Sequence, residues 1–269
     1  MCKDCGCSLG DLSGSHSHAH SHGGHTHTHE HTHEGEHNHN HHHDHAGQIP
    51  TLKESKTIEV IGKILSQNDH EAEHNRAHLD EKGLLCVNLM SSPGAGKTTL
   101  LEAILSKTNL KIGVVEGDLE TNKDAQRISD AGGVAWQVST GQTCHLDAFM
   151  VHNALHHIDL DAVDVVFVEN VGNLVCPAAY DVGAHMNVVL LSVPEGSDKI
   201  AKYPVMFRAA DAVIVTKTSL LQHFDFNLDE AKASLRKLNP KADFFAIDSK
   251  SGEGLEKFLD YLRLKMACR

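Results

Sequence analysis

The sequence has few aromatic and few basic residues, and it has no long apolar run. Phe, Trp and Tyr make up 4% of the 269 residues, and 36 acidic side chains against 24 Lys and Arg give a formal net charge of −12. This balance argues against nucleic-acid and anionic-membrane partners, which require clustered basic side chains. No apolar stretch is long enough to span a bilayer, and the N-terminus lacks the apolar core of a signal peptide. We therefore expect a cytoplasmic protein.

Histidine and cysteine are present in quantity, with 24 and 7 residues respectively. In a reducing cytosol the cysteines are better interpreted as metal ligands or core residues than as disulfides. Residues 13–47 consist almost entirely of His, Ser, Gly, Thr, Glu and Asn and carry fifteen of the histidines. Such a segment buries too little apolar surface to fold, so we expect a disordered tail that binds metal ions weakly. The predicted parts are a Cys-containing start with this tail (1–47), a helical segment (48–82) and the main domain (83–269).

Short apolar runs alternate with helical patterns in the rest of the chain. Residues 51–82 predict one or two polar helices with an apolar stripe at Ile58, Ile61, Ile64 and Leu65. Seven runs of strand length follow, separated by helices. They predict an α/β fold with a doubly wound, mostly parallel sheet and helices on both faces. The runs are 84–90, 111–116, 134–138, 163–169, 187–193, 211–216 and 243–247.

A phosphate-binding loop is predicted in LLCVNLMSSPGAGKTTLLEAIL (84–105), where an apolar strand runs through glycines into a helix. Glycines let backbone N–H groups close around a phosphate, and the helix N-terminus adds its positive dipole end. Lys97 would neutralise phosphate charge and Thr98 would bind Mg²⁺. Ser91 stands where the usual pattern has its first glycine. The loop residues expected to bind nucleotide are Gly94, Ala95, Gly96, Lys97, Thr98 and Thr99.

Two further strands are predicted to end in carboxylates, Asp118 in IGVVEGDLET and Glu169 in DVVFVENVGN. In open α/β sheets ligands bind outside the carboxyl ends of the strands. Together with Thr98, these carboxylates would hold Mg²⁺ directly or through water, and Asp118 could orient the attacking water. Lys97, Asp118 and Glu169 are therefore the candidate catalytic residues.

Recognition of the nucleotide base is predicted at two later strand ends. AVIVTKTSLL (212–221) lies where a G-protein carries an Asn-Lys-x-Asp loop, and it keeps the lysine, Lys217, but has Thr216 and Ser219 at the outer positions. AIDSKSGEGL (246–255), with Ser249 and Lys250, resembles the Ser-Ala-Lys loop whose backbone reads the guanine carbonyl. The missing carboxylate would cost about 1.5–3 kcal/mol. We expect GTP to bind, with relaxed discrimination against other nucleotides.

A transition-metal site is predicted from STGQTCHLDA (139–148) and ENVGNLVCP (169–177). Cys144 and His145 follow one strand and Cys176 follows another, so all three belong to the phosphate edge of the sheet. Two cysteines and a histidine suit Zn²⁺ or Ni²⁺, within one chain or across two. A loop anchored on Mg²⁺ or phosphate at Glu169 would also move Cys176 when phosphate leaves.

A second metal site is predicted at the start of the chain, where MCKDCGC supplies Cys2, Cys5 and Cys7 beside the terminal amine. This donor set suits square-planar Ni²⁺. His70, His74 and His78 recur every four residues and would line one helix face, a spacing that can bind metal, although a solvated face is the preferred interpretation. His152 and His156 are assigned to a helix surface or to the core.

The combination of motifs resembles the HypB family of hydrogenase-maturation GTPases. The likeness spans most of residues 50–265 and includes SSPGAGKTTLL, VVEGD, TGQTCHLDA, VFVENVGNLVCPAAYDVG, KYPVMF and SGEGL, besides the Cys-x-x-Cys-Gly-Cys start. The resemblance implies a P-loop GTPase of the dimeric (SIMIBI) class, a homodimer that hydrolyses GTP slowly and carries metal near its interface. It also implies nickel delivery to the large subunit of [NiFe]-hydrogenase together with a HypA-type metallochaperone.

Other functions remain open from the sequence. A urease-type nickel GTPase shares the fold but is expected to carry Cys-Pro-His, whereas Ala178 follows Cys176-Pro177 here. A nickel store with a degenerate nucleotide site is favoured by the Thr216–Ser219 loop and disfavoured by the intact Lys97-Thr98 pair. A related dimeric P-loop ATPase is the third alternative.

Overall fold

The computed structural model describes residues 18–22, 25–29, 51–118, 122–141 and 143–269. The chain divides into two compact units, Met1–Glu54 and Ser55–Arg269. In the His-rich segment, β1 (His18–His22) pairs antiparallel with β2 (His25–His29). Histidine alternates there with small residues, the period that a strand requires. The remainder of the predicted tail lies outside the described residues. The predicted boundary between the helical segment (48–82) and the main domain (83–269) stays a prediction.

The second unit is built on a parallel sheet of seven strands in the order β5-β4-β6-β3-β7-β8-β9. All seven predicted strands are present, and every neighbouring pair is parallel, which confirms the predicted fold class. The strands are β3 (Leu85–Ser91), β4 (Ile112–Asp118), β5 (Val134–Ser139), β6 (Val165–Glu169), β7 (Met186–Ser192), β8 (Ala212–Thr216) and β9 (Asp243–Ile247).

Helices cover both faces of the sheet, which is why most of its strands are apolar throughout. They are α1 (Thr51–Glu81), α2 (Lys97–Lys107), α3 (Lys123–Asp130), α4 (Ala148–Leu155), α5 (Lys199–Lys202), α6 (Pro204–Arg208), α7 (Leu228–Leu238) and α8 (Leu255–Ala267). One core cluster joins α2 and α8 to the sheet through residues such as Leu89, Leu101 and Phe258. Among the described residues, no helix combines the length and apolar character that crossing a bilayer requires.

Helix α1 is a single helix, and its predicted apolar stripe is wrong. Ile61 is 40% exposed and Ile64 is 50% exposed. The buried positions lie further along the helix, at Asn68, Ala72, Asn75 and Leu79, and follow helical spacing. The two asparagines hydrogen-bond to backbone groups of other segments, including the N–H and C=O of Ala148 at the start of α4. Hydrophobic periodicity could not reveal this face because half of it is polar.

Strand order places the phosphate loop at the centre of the sheet. After β3 the chain forms β4, β5 and β6 on one side of that strand. It then crosses to the other side, where it forms β7, β8 and β9. A reversal of this kind opens a crevice at the carboxyl ends of the central strands, where α/β proteins bind ligands. The loops after β3, β4, β6 and β8 all reach this edge.

Candidate nucleotide and metal site

The loop after β3 has the backbone that a phosphate cradle needs. Gly94 has φ of +73° and Gly96 has φ of +101°, left-handed values that favour glycine. Gly96 is the residue that precedes α2, so Lys97 opens the helix. The Lys97 Nζ lies 3.3 Å from the Ser91 Oγ at the end of β3. Backbone donors, a lysine and a helix N-terminus therefore converge at one point, as the sequence predicted.

The loop after β8 is fastened to this cradle. The Thr216 hydroxyl donates to the Ala95 carbonyl at 2.6 Å, and the Lys217 ammonium donates to the Gly94 carbonyl at 2.7 Å. Lys217 has φ of +59°. Among the described residues other than glycine, it is the one with a positive φ. Such a conformation costs about 1 kcal/mol or more and persists where the surroundings hold it. The predicted base-binding loop is thus positioned by the phosphate loop itself.

Buried carboxylates lie beside Thr98. Its hydroxyl donates to Glu169 Oε1 at 2.7 Å, and burial raises the pKa of Glu169. On the adjacent strand Glu116 is the register partner of Glu169 and is 2% exposed. Burial, and then the Glu169 carboxylate, raise the pKa of Glu116 to about 8. The Oε2 atoms of both glutamates are buried without a hydrogen-bond partner.

These unpaired oxygens fit a divalent cation, because buried carboxylates normally pair with a cation or hydrogen-bond donors. Asp118 ends β4 two residues beyond Glu116, on the same face of the sheet. The Asp118 carbonyl accepts a hydrogen bond from the Thr140 N–H at 3.0 Å. Sequence reasoning singled out Asp118 and missed Glu116, although the two-residue period of the strand could have indicated it.

The loop after β9 supplies a carboxylate beside Ser219, the position where a G-protein has an aspartate and this chain does not. Asp248 Oδ2 accepts a 2.5 Å hydrogen bond from the Ser219 hydroxyl, and Asp248 Oδ1 accepts from the backbone N–H groups of Lys250 and Ser251. Burial raises the pKa of Asp248, but the hydrogen bonds outweigh it and hold the pKa at about 2. Asp248 therefore stays ionised and joins the two loops predicted to bind the base, a contact that sequence reasoning missed.

The predicted transition-metal ligands form one cluster. Ligand atoms of Cys144, His145 and Cys176 all lie within 4.8 Å of one another, and each residue is partly exposed. The two sulfur atoms are 2.9 Å apart, although 32 residues separate them in the chain. The His145 ring stacks on Tyr180 with centroids 3.9 Å apart. Burial lowers the pKa of His145, which favours the neutral imidazole that binds metal.

A short segment connects the carboxylate site to the metal cluster. Asn170, directly after Glu169, accepts a hydrogen bond from the Leu146 N–H at 3.0 Å and is fully buried. Asn173 Oδ1 accepts from the Cys176 N–H at 3.1 Å. Between them, a Cβ added to Gly172 would meet the Pro93 backbone at 2.8 Å. The segment 169–176 thus contacts both the phosphate loop and the Cys144 loop.

Of the other predicted site residues, Thr99, Ser249 and Lys250 belong to the described part of the chain. Thr99 accepts a hydrogen bond from Arg127 at 3.2 Å, and Arg127 is itself paired with Glu102 and Asp124. Ser249 and Lys250 follow β9 at the same edge of the sheet. Cys2, Cys5 and Cys7 lie outside the described residues.

A glycine-rich loop between a central parallel strand and a helix, with a lysine, a threonine and strand-end carboxylates around it, defines a P-loop nucleotide-binding domain. Residues 85–246 match the family model described as CobW/HypB/UreG, nucleotide-binding domain. The chain belongs to this family and, within it, to the HypB maturation factors.

Relatives support the assignment over most of the chain. The Hydrogenase/urease maturation factor HypB of Helicobacter hepaticus is 48% identical over 216 residues, which cover 79% of this chain and 89% of the relative. The Hydrogenase maturation factor HypB of Rhizobium leguminosarum bv. viciae is 44% identical over 223 residues, 82% of this chain and 75% of the relative. The crystal structure of HypB from Helicobacter pylori in complex with nickel superposes with a TM-score of 0.73 at 45% identity, covering 75% of this chain and 95% of the other.

Proposed function

We propose that this chain is a GTPase that binds nickel and couples GTP hydrolysis to nickel delivery during [NiFe]-hydrogenase maturation. The observation that carries the proposal is the segment 169–176, which joins a carboxylate at the nucleotide site to a cysteine of the metal cluster within eight residues. A P-loop alone would support many nucleotide-dependent functions. A Cys-His-Cys cluster that is connected to the phosphate loop favours a function in which the metal ion is the cargo.

The nucleotide side of the proposal assigns GTP to the phosphate loop and to the loops after β8 and β9. Lys97 neutralises the β- and γ-phosphate charge, and Gly94–Thr99 surround the phosphates with backbone donors. Thr98, Asp118 and Glu169 would hold Mg²⁺, which supplies charge neutralisation for phosphoryl transfer. Arg127 is committed to Glu102 and Asp124, so it does not serve as an arginine finger in this arrangement. We expect slow intrinsic turnover.

On the metal side, Cys144, His145 and Cys176 would bind Ni²⁺ or Zn²⁺ as cargo. Thiolate and imidazole ligands suit both ions. The relative from Helicobacter pylori was solved with nickel, which favours nickel as the ion carried. Cys2, Cys5 and Cys7 are proposed as a second nickel site, and the His-rich tail as a reservoir.

Coupling between the two sites would proceed through Glu169 and Asn170. When γ-phosphate leaves, the contacts that hold Glu169 change, and Asn170 transmits the shift to Leu146 and so to the Cys144 loop. Hydrolysis would then alter metal affinity instead of driving chemistry on a substrate. A ligand can shift such an equilibrium only by its differential affinity for the two states, so GTP and GDP must bind the two loop arrangements unequally.

The partners that fit this role are a second copy of the chain, a HypA-type metallochaperone and the hydrogenase large subunit, in the cytoplasm. The hydrogenase assignment rests on the names of the relatives, and the Helicobacter relative also carries urease in its name. A urease acceptor is therefore the second candidate. The residue after Cys176-Pro177 is Ala178, not the histidine expected of a urease-type nickel GTPase.

Two measurements separate these functions. The full chain should hydrolyse GTP faster than ATP, and a strong preference for ATP would contradict the guanine assignment. In cells that lack the endogenous factor, the chain should restore hydrogenase activity when nickel is limiting, and a variant lacking residues 13–47 should still do so when nickel is ample. A nickel store would lose its effect with the tail, whereas restoration of urease alone would favour the second candidate.

A further inference from the structure

Two histidines of the α4 segment approach one another on the surface of the domain, apart from the Cys144 cluster. His152 lies on α4 and His156 immediately follows it, one helical turn later. Their Nε2 atoms are 3.1 Å apart, and the rings stand at 80°. The His78 ring on α1 lies with its centroid 5.9 Å from that of His156. Three imidazoles from two helices thus share one patch.

The protonation of His152 follows from its neighbour Asn75. The Asn75 amide nitrogen donates to the carbonyls of Ala148 at 2.8 Å and Val182 at 3.2 Å, which fixes the amide orientation. Asn75 Oδ1 is therefore the atom that lies 3.0 Å from His152 Nδ1, and it can only accept. His152 Nδ1 must carry the proton. In the neutral ring the lone pair is then on Nε2, the atom that faces His156.

A carboxylate also stands behind His152. Glu71 Oε1 lies 3.1 Å from the same Nδ1, and the Glu71 side chain is 14% exposed. Histidines that bind metals usually donate their second ring N–H to a carboxylate or carbonyl, which orients the ring and raises its basicity. His152 has both an amide and a carboxylate in this position. Its Nε2 is directed to the surface, since the side chain is one-third exposed and His156 is exposed.

The separation of the two Nε2 atoms suits one metal ion. With metal–nitrogen bonds of about 2.0–2.1 Å, two ligand nitrogens lie roughly 2.9–3.4 Å apart in square-planar or tetrahedral coordination. Without metal, the same distance requires the His156 Nε2–H to donate a hydrogen bond to His152 Nε2. On binding, the ion loses two waters, and His156 takes the tautomer protonated at Nδ1, so each Nε2 supplies a lone pair.

We propose that His152 and His156 bind one divalent transition-metal ion, with His78 as the third ligand after rotation of its side chain. Imidazole ligands select Zn²⁺, Ni²⁺ or Cu²⁺ over Mg²⁺ and Ca²⁺. The ion would connect α1 to α4, and α4 begins at Ala148, three residues after His145. This site is separate from the Cys144 cluster and does not depend on the function proposed for it.

Histidine footprinting with diethyl pyrocarbonate tests the site in the full chain, because peptide mass spectrometry reports each histidine separately from the His-rich tail. Zn²⁺ is the probe, added in excess over the tail histidines. We expect modification of His152 and His156 to slow about tenfold or more with Zn²⁺. His223, an exposed histidine at the end of a 3-10 turn, serves as the internal control and should not be protected.

Variants show whether the two histidines act as a pair. His156→Ala should abolish the Zn²⁺ protection of His152, and His78→Ala should shift protection to higher Zn²⁺ concentration. His157→Ala, the neighbouring residue whose ring stacks on Trp136, is the matched control and should leave protection unchanged. A variant with Cys144→Ser and Cys176→Ser should also keep it. Equal modification of His152 with and without Zn²⁺, or its full protection in His156→Ala, would overturn the proposal.

Discussion

Asn170 accepts a buried hydrogen bond from the backbone N–H of Leu146, at 3.0 Å, across 24 residues of chain. Its neighbour on one side is Glu169, which holds Thr98, and the neighbour of Leu146 is His145 of the metal cluster. One side chain thus connects the end of β6 to the loop after β5. This contact places the two proposed sites in a single network, and the following predictions test its parts.

Gly172→Ala should weaken nucleotide binding. The new Cβ would lie 2.8 Å from the Pro93 Cα and 2.9 Å from the Pro93 nitrogen, so backbone must move. Overpacking of this kind costs about 1–3 kcal/mol. We expect the KM for GTP to rise about tenfold or more. The control is Gly62→Ala on α1, where nothing lies within 4 Å and helix propensity improves. Equal KM values for the two variants would contradict the packing role.

Glu169→Gln should separate stability from activity. The amide oxygen keeps the hydrogen bond from Thr98, while the carboxylate charge, which burial disfavours and whose pKa burial therefore raises, is removed. We expect the free energy of unfolding without nucleotide to rise in urea titrations at pH 8. GTP turnover with Mg²⁺ should fall on the order of 10²-fold, as when an electrostatic partner of the transition state is lost. The exposed Glu73→Gln should change neither, and full turnover in Glu169→Gln would argue against Mg²⁺ binding there.

Exchanging Ser219 and Asp248 should sharpen guanine selectivity. In the natural chain the Asp248 carboxylate is occupied by Ser219 and by the N–H groups of Lys250 and Ser251. The double variant Ser219→Asp, Asp248→Ser keeps a carboxylate-to-serine contact and moves the charge to the loop after β8. A charge-assisted bond to guanine is worth about 1.5–3 kcal/mol. The ratio of kcat/KM for GTP over inosine triphosphate should therefore rise about tenfold or more.

The single variants provide the control for this exchange. Ser219→Asp alone places a second carboxylate against Asp248, so we expect it to lower Tm and raise the KM for GTP. The double variant should recover both properties. A natural chain that already discriminates as strongly as the double variant would show that guanine is read by other groups.

Acid should destabilise the fold through His185. Burial, and then the Arg269 guanidinium, lower the pKa of His185 to about 4, and its Nδ1 accepts a hydrogen bond from the Cys86 N–H at 2.9 Å. Because the folded-state pKa is depressed, this contribution is complete above about pH 6.5 and is lost as pH falls toward 4. The shift of the pKa from 6.5 to about 4 corresponds to about 3 kcal/mol.

His185→Asn checks this dependence, since the Asn Oδ1 can accept from Cys86 and does not titrate. The free energy of unfolding, measured by urea titration from pH 7 to pH 4, should fall less in this variant than in the natural chain. His223→Asn, on the surface, should retain the original slope. Identical slopes in all three proteins would assign the acid sensitivity to other groups.

The sequence was sufficient for the sheet because its seven strands are short apolar runs separated by helical patterns, a signal that depends on local composition. It also predicted that Thr98 would lie near Glu169 and Cys144 near Cys176, because their motifs follow strands that end at the same edge of the sheet. It missed Asn170 and Asp248, because their roles depend on partners 24 and 29 residues away. The stripe on α1 failed for a related reason, since the buried face of that helix is half asparagine.

We propose that the nucleotide controls the nickel bound by Cys144, His145 and Cys176. The most direct test measures GTP hydrolysis and nickel binding together, for the full natural chain and for Cys176→Ala. In the natural chain, nickel release should follow conversion of GTP to GDP. In Cys176→Ala, nickel stoichiometry should fall and the nucleotide-dependent release should disappear, while GTP hydrolysis persists because the phosphate loop is intact. Unchanged stoichiometry together with unchanged nucleotide-dependent release in Cys176→Ala would contradict the internal metal site and its coupling to the nucleotide.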